Sequence, residues 1–156
     1  MKNGLILALA LVGLASCTTE AGVAALRNTE IQLEEARAHA RVDCSGRVDC
    51  DRLWDLTKQY VAQRSVTPIR RADETAIETA EPHVFGAVYV WATRTTDANG
   101  ASTIRLNGMC RGMYRADGSP GLMYTTCAAQ IRAVEMDFRP FIGVSWSRNS
   151  GKSVSR

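Results

Sequence analysis

Four cysteines in the body of the chain give the clearest chemical signal: Cys44, Cys50, Cys110 and Cys127. In an exported chain an even number of cysteines predicts disulfides, and four cysteines allow three pairings. We favour Cys44–Cys50 and Cys110–Cys127, because each pair brackets a segment rich in turn-forming residues. The larger loop would restrain the unfolded chain more than the smaller one.

Metal and redox chemistry are the alternatives for these cysteines. Five residues separate Cys44 from Cys50, which is wider than a zinc knuckle, and no histidine lies near either pair. A redox-active pair is disfavoured because the sequence contains no Cys-x-x-Cys. The sequence therefore predicts neither a metal nor a cofactor.

Histidine and carboxylate side chains offer little for catalysis. A general base needs a positioned partner, and neither His39, in the N-terminal segment, nor His83, after a proline, has an evident one. Glu74, Glu78 and Glu81 lie close together and could supply a glycosidase pair, but a solvated strand face is the simpler interpretation. No nucleophile elbow, phosphate-binding loop or calcium loop occurs. We predict that the protein is not an enzyme.

The fifth cysteine, Cys17, ends an apolar run at the start of the chain. Lys2 supplies a positive charge, residues 5–15 are almost wholly apolar, and the small residues Ala15 and Ser16 precede the cysteine. This pattern is typical of a secretory signal, and the run is shorter than the roughly 20 residues that span a bilayer. An ordinary signal with an incidental cysteine is the alternative interpretation.

The ending Leu14-Ala15-Ser16-Cys17 resembles the lipobox of bacterial lipoproteins. The resemblance implies cleavage before Cys17 and fatty acylation (palmitate) of that cysteine, and two acyl chains give stable anchoring. Because Thr18 rather than aspartate follows, similarity to the enterobacterial sorting pattern implies the outer membrane, with the protein facing the periplasm. The segment Cys50-Asp51-Arg52-Leu53-Trp54, with Tyr60-Val61 and Glu78-Thr79, faintly resembles small Gram-negative envelope lipoproteins, which implies no activity.

The net charge and the hydropathy of the sequence limit the classes of partner that the protein can have. The chain has 156 residues and a formal net charge of +3, which does not predict nucleic-acid binding. Nothing after Cys17 is apolar long enough to span a membrane. The expected partners are membrane lipid, through the acylated Cys17, and an envelope protein, with no nucleic acid.

Two stretches of the body show helical periodicity. Apolar residues recur at helical spacing over residues 51–64, with Asp49 or Asp51 as the predicted N-cap. A second helix is predicted from near Cys127 to about residue 139, where Pro140 limits it, with Glu135 off its apolar face. A strand is the alternative here, since residues 123–126 are extended in character. Residues 18–42 favour helix by composition but have a thin apolar face, so we interpret them as a loosely helical tether, with a partner-binding helix as the alternative.

Strand signals occupy the middle of the sequence. Residues 66–70 and 75–80 are short extended candidates, and residues 85–95 and 102–107 flank the Asn99-Gly100 turn as a hairpin. The order predicts an α+β fold, a small antiparallel sheet with two amphipathic helices on one face and the other face partly open. The predicted organisation is signal peptide 1–16, lipidated N-terminus and tether 17–42, folded domain 43–142 and flexible basic tail 143–156.

Two places are candidate binding surfaces. Tyr89 and Trp91 share one strand face, which we expect to be buried and which would be a binding surface if it were open. The loop between Cys110 and Cys127 is the other, because binding residues concentrate on loops held by a rigid scaffold. The candidate residues are Tyr89, Trp91, Arg111, Tyr114 and Arg115.

These features favour an outer-membrane-anchored periplasmic lipoprotein that acts as a non-enzymatic interaction or accessory module. The alternative is a lipoprotein that binds a glycan or small ligand through the open sheet face.

Overall fold

A computed structural model describes the backbone of residues 2–151 and the side chains of residues 20–147. Three helices and five strands follow along the chain: α1 Lys2–His39, β1 Arg41–Cys44, α2 Arg47–Arg64, β2 Ile69–Ala72, β3 Ala76–Thr79, β4 Val88–Thr96, β5 Ser102–Cys110 and α3 Tyr124–Gly151. By its internal contacts the chain divides into two units, residues 1–34 and residues 35–156.

The first unit consists of helix α1 as far as residue 34. The segment predicted as a loose tether, residues 17–42, is helical as far as His39, in agreement with its content of Ala, Glu and Arg, and its last two residues begin strand β1. Val23 and Ile31 are more than half exposed, as expected of a helix with a thin apolar face. Within the described part of the chain, no helix combines the length and hydrophobicity that a membrane span requires.

The second unit is built on a five-stranded antiparallel sheet in the order β1-β5-β4-β3-β2. The predicted hairpin forms its centre, where β4 and β5 pair along their whole length from Val88↔Cys110 to Thr96↔Ser102. At its turn, Gly100 has a φ of 83°, and the Asp97 carboxylate accepts backbone N–H groups, including that of Ala101 at 2.9 Å. These are the features that the Asp-Ala-Asn-Gly sequence predicts for a tight turn.

Helices α2 and α3 pack on one face of the sheet and bury its apolar side chains. Val90 on β4 and Ile104 and Leu106 on β5 are fully buried there. Tyr60 of α2 packs against α3, with its ring centroid 5.4 Å from that of Phe138. The predicted α+β fold, with two amphipathic helices on one face of an antiparallel sheet, is therefore confirmed.

Both predicted disulfides are present. Cys44–Cys50 joins β1 to α2, and Cys110–Cys127 joins the end of β5 to α3, each with a Cα–Cα distance of 5.5 Å. The pairing chosen from the turn-rich loops is therefore confirmed.

Three details of the predicted elements are wrong. Strand β1 was not predicted, and α2 begins at Arg47 behind Gly46, so that neither Asp49 nor Asp51 is the N-cap. Helix α3 continues through Pro140 to Gly151, because Phe138 and Ile142 are buried on either side of the proline. The segment predicted as a flexible tail, residues 143–156, is thus helical as far as Gly151.

Candidate functional site

The face of the sheet opposite α2 and α3 carries the predicted aromatic pair. Tyr89 and Trp91 lie on this face half-buried, with ring centroids 6.2 Å apart, while the intervening Val90 points into the core. The aromatic pair was expected in the core, but the valines of β4 face the helices instead, and Tyr89 and Trp91 are half-buried on the opposite face. We call this surface the open sheet face; its central residues are Tyr89, Trp91, Thr93, Arg105, Asn107 and Met109.

The hairpin register fixes which side chains surround the aromatic pair. Met109 lies opposite Tyr89, and Asn107 lies opposite Trp91. Directly opposed residues of an antiparallel pair have Cβ atoms about 5 Å apart, so these side chains form one continuous surface. Met109 is 43% exposed, which adds apolar area beside the tyrosine.

Charges on the open sheet face are mostly paired. Arg41 contacts Asp43 at 2.9 Å, and Arg71 contacts Glu78 at 3.1 Å. A hydrogen bond from the Thr103 hydroxyl and the neighbouring Arg41 hold the pKa of Asp43 below its usual range. Arg105 is exposed, makes no ion pair within 4.0 Å among the described residues, and contributes by its charge to the lowered pKa of Asp43.

One end of the open sheet face is bordered by Arg111. Its guanidinium contacts the Glu81 carboxylate at 2.5 Å and lies 5.5 Å from the centroid of the exposed Phe85 ring. Burial and then the Glu81 charge raise the pKa of the Tyr89 hydroxyl, and Arg111 opposes this shift. A Cβ at Gly112 would collide with the Phe85 ring, so this close packing requires a glycine.

The structure divides the five predicted binding residues between two places. Tyr89, Trp91 and Arg111 belong to the open sheet face and its border. Tyr114 packs edge-on against Tyr124 of α3, with a centroid distance of 5.8 Å, and the backbone N–H of Arg115 donates to Ser119 in a tight turn. The loop that carries both residues therefore folds on itself and onto α3.

Sequence reasoning missed Arg105, Asn107 and Met109 as members of the site. The signal was available, because a turn at Asn99-Gly100 sets the hairpin register, and alternation then places odd-numbered residues of both strands on one face.

A second concave feature, the polar groove, lies between the first half of α2 and the turns joining β2 to β3 and β4 to β5. Its volume is about 740 Å³. In its wall the Arg94 side chain is 7% exposed, contacts Asp51 at 2.8 Å, and donates to the Ser102 hydroxyl at 3.1 Å. The indole N–H of Trp54 donates to the Asp73 carbonyl at 2.8 Å. Its charged residues are Asp51, Asp55, Asp73, Glu74, Asp97, Arg47, Lys58 and Arg94.

The residues weighed for catalysis are dispersed. Glu78 and Glu81 pair with different arginines, and Glu74 lies in the turn before β3. His83 is exposed in the loop before β4. Among the described residues, no group of three or more His, Cys, Asp or Glu side chains could hold a metal ion. The predicted lipidation site, Cys17, lies outside the residues whose side chains the structure describes.

Comparison with models of protein families, with curated proteins and with solved structures gives no match for this chain.

Proposed function

We propose that this chain is an outer-membrane-anchored periplasmic lipoprotein that acts as a non-enzymatic interaction module of the cell envelope. The likeness of Leu14-Ala15-Ser16-Cys17 to a lipobox supports the anchor at Cys17. The observation that carries the binding role is the half-buried Tyr89–Trp91 pair on the sheet face opposite α2 and α3.

The chemistry of the open sheet face supports a protein surface as the partner. Large aromatic side chains supply most of the binding energy where they are covered by a partner, and Met109 enlarges the area to be covered. Arg105 adds a cation whose planar guanidinium suits a carboxylate. The partner therefore presents an apolar group to Tyr89 and Trp91 and an acidic group to Arg105.

The shape of this surface supports the same choice. Small ligands bind mostly in concave sites, whereas protein interfaces spread over broad surfaces of about 800 Å² on each partner. The polar groove lies away from the open sheet face, between α2 and the turns, so it does not supply a pocket beside the aromatic pair.

Glycan binding is the second candidate function. The Tyr89 and Trp91 rings are inclined by only 35° to each other, and Asn107 stands opposite Trp91. Two similarly oriented rings can pack against the apolar faces of consecutive sugars, and an amide can hydrogen-bond their hydroxyl groups.

Crosslinking in cells, followed by mass spectrometry, tests the proposal. We expect one abundant envelope protein to crosslink to the native chain and to be lost both with Cys17→Ser and with the double variant Tyr89→Ser/Trp91→Ser. A crosslink that persists in the double variant contradicts the assigned face. If no protein is captured but the native chain is retained on envelope glycan and the double variant is not, the second candidate replaces the first.

The anchor has a separate test. Membrane fractionation should find the native chain with the outer membrane and the exported Cys17→Ser variant in the soluble fraction. If the variant still partitions with membranes after export, the proposed anchor is wrong.

A further inference from the structure

The polar groove is separate from the open sheet face. Some of its charged side chains have ion-pair or hydrogen-bond partners, and others have none among the described residues. Asp51 contacts Arg94 and, at 4.0 Å, Arg47, while Asp73 contacts Arg71 at 2.6 Å. The Asp97 carboxylate accepts hydrogen bonds from its own turn. These three carboxylates are therefore already engaged by neighbouring residues of the protein.

Three charged side chains remain available in the groove: Asp55, Lys58 and Glu74. All three are exposed, and none makes an ion pair within 4.0 Å among the described residues. Asp55 and Lys58 are three residues apart on α2, so they are neighbours on one side of the helix. Glu74 faces the same cavity from the turn between β2 and β3.

Two interactions between elements build the wall of the groove. Trp54 is 8% exposed and is fixed by its hydrogen bond to the Asp73 carbonyl, which joins α2 to the turn that carries Glu74. The buried Arg94 links Asp51 on α2 to Ser102 at the start of β5. These interactions fix the backbone of α2 and of the turn that carry the three charged side chains.

We propose that the polar groove binds a ligand of the basic amino-acid class, either a free amino acid or the basic end of a peptide. Asp55 and Glu74 receive the amines, and Lys58 receives the carboxylate. Among the three available side chains two are acidic and one is basic, which favours a ligand with more amine than carboxylate. This site is independent of any protein partner, so its test is independent of the proposed function.

Calorimetric titration of the full chain with lysine, and with its decarboxylated analogue cadaverine, tests the inference at low salt, where exposed charges are least screened. We expect both probes to bind at millimolar concentration. Glu74→Gln should weaken both by about two- to fivefold, the range for one exposed ion pair. Lys58→Gln should weaken lysine by a similar factor and leave cadaverine unaffected or tighter.

Asp49→Asn is the matched control, because Asp49 is an exposed aspartate on the same helix but is not part of the groove. It should leave the affinity for both probes unchanged. Absence of binding by either probe overturns the inference. Equal weakening by Asp49→Asn and Glu74→Gln also overturns it, because the effect would then be one of overall charge. Failure of Lys58→Gln to distinguish the two probes overturns the assignment of an amino-acid ligand, because the carboxylate would then have no partner in the groove.

Discussion

Glu135 shows how one residue can complete a sheet edge. It is fully buried on α3, and its Oε1 accepts a hydrogen bond from the backbone N–H of Gly108 at 2.9 Å. Strand β1 pairs with β5 only as far as Arg105, and the Ala40 carbonyl then accepts the N–H of Leu106. The Glu135 carboxylate thus takes the place of a neighbouring strand beside Gly108, with Arg37 4.0 Å away.

Replacement of Glu135 should therefore reveal the cost of an unpaired backbone donor. We expect Glu135→Ala to lower the free energy of unfolding by about 1–3 kcal/mol, because the Gly108 N–H loses its acceptor. Glu135→Gln keeps a carbonyl oxygen and should cost less. Urea unfolding at neutral pH measures both, with the exposed Gln130→Ala on the same helix as the control. If Glu135→Ala and Glu135→Gln lower the free energy of unfolding equally, the hydrogen bond from Gly108 to Glu135 does not stabilise the edge of β5.

Asp73 organises the turn between β2 and β3. Hydrogen bonds from the backbone N–H and hydroxyl of Thr75, and then the neighbouring Arg71, lower the pKa of Asp73 well below its ordinary value. A lowered folded-state pKa means that this carboxylate stabilises the fold above about pH 4 and that its contribution is lost as the pH falls through the folded-state value.

Asp73→Asn should therefore make the protein less stable at neutral pH and flatten the fall in stability below about pH 4. Thermal unfolding across an acid pH series measures both effects. Asp55→Asn is the comparison, since its exposed carboxylate accepts no hydrogen bond from the described residues. The interpretation fails if Asp73→Asn and the native chain have parallel pH profiles.

Among the elements, the hairpin of β4 and β5 was the most predictable from sequence. The hairpin could be predicted because β-branched residues alternate on both sides of an Asn-Gly turn, and such local signals suffice to set register. Strand β1 has only four residues and is stabilised by pairing with β5, about sixty positions away in sequence. No local sequence pattern could therefore predict it. The same holds for Pro140, whose helix-breaking tendency is overcome by the burial of Phe138 and Ile142.

The two disulfides join different elements and close loops of different size. Their sequence separations are 17 for Cys110–Cys127 and 6 for Cys44–Cys50. From loop closure alone, replacing the first pair with alanines should lower the free energy of unfolding by about 3 kcal/mol, and replacing the second by about 2 kcal/mol. Denaturant unfolding of the two double variants tests the order. A larger loss for the Cys44/Cys50 variant would contradict it.

At the scale of the whole molecule, the candidate site depends on which sheet face the helices cover. Sequence alternation showed that Tyr89 and Trp91 share a face, but only the packing of α2 and α3 decides that this face stays open. The aromatic content of β4 suggested a core face, whereas the smaller valines and Ala92 fill the space beneath the helices. Nothing local in the sequence distinguishes these two arrangements, because either face of β4 is apolar enough to be buried.

The most direct test of the open sheet face as an interaction surface is site-specific photocrosslinking in cells. A photoreactive side chain would replace Asn107 or Thr93 on the open sheet face, or Gln59 on the exposed side of α2 as the matched control. We predict one abundant protein adduct from positions 107 and 93, its loss when Trp91→Ser is added, and none from position 59. Adducts of equal yield from both sides, or from position 59 alone, would contradict the assignment of this face.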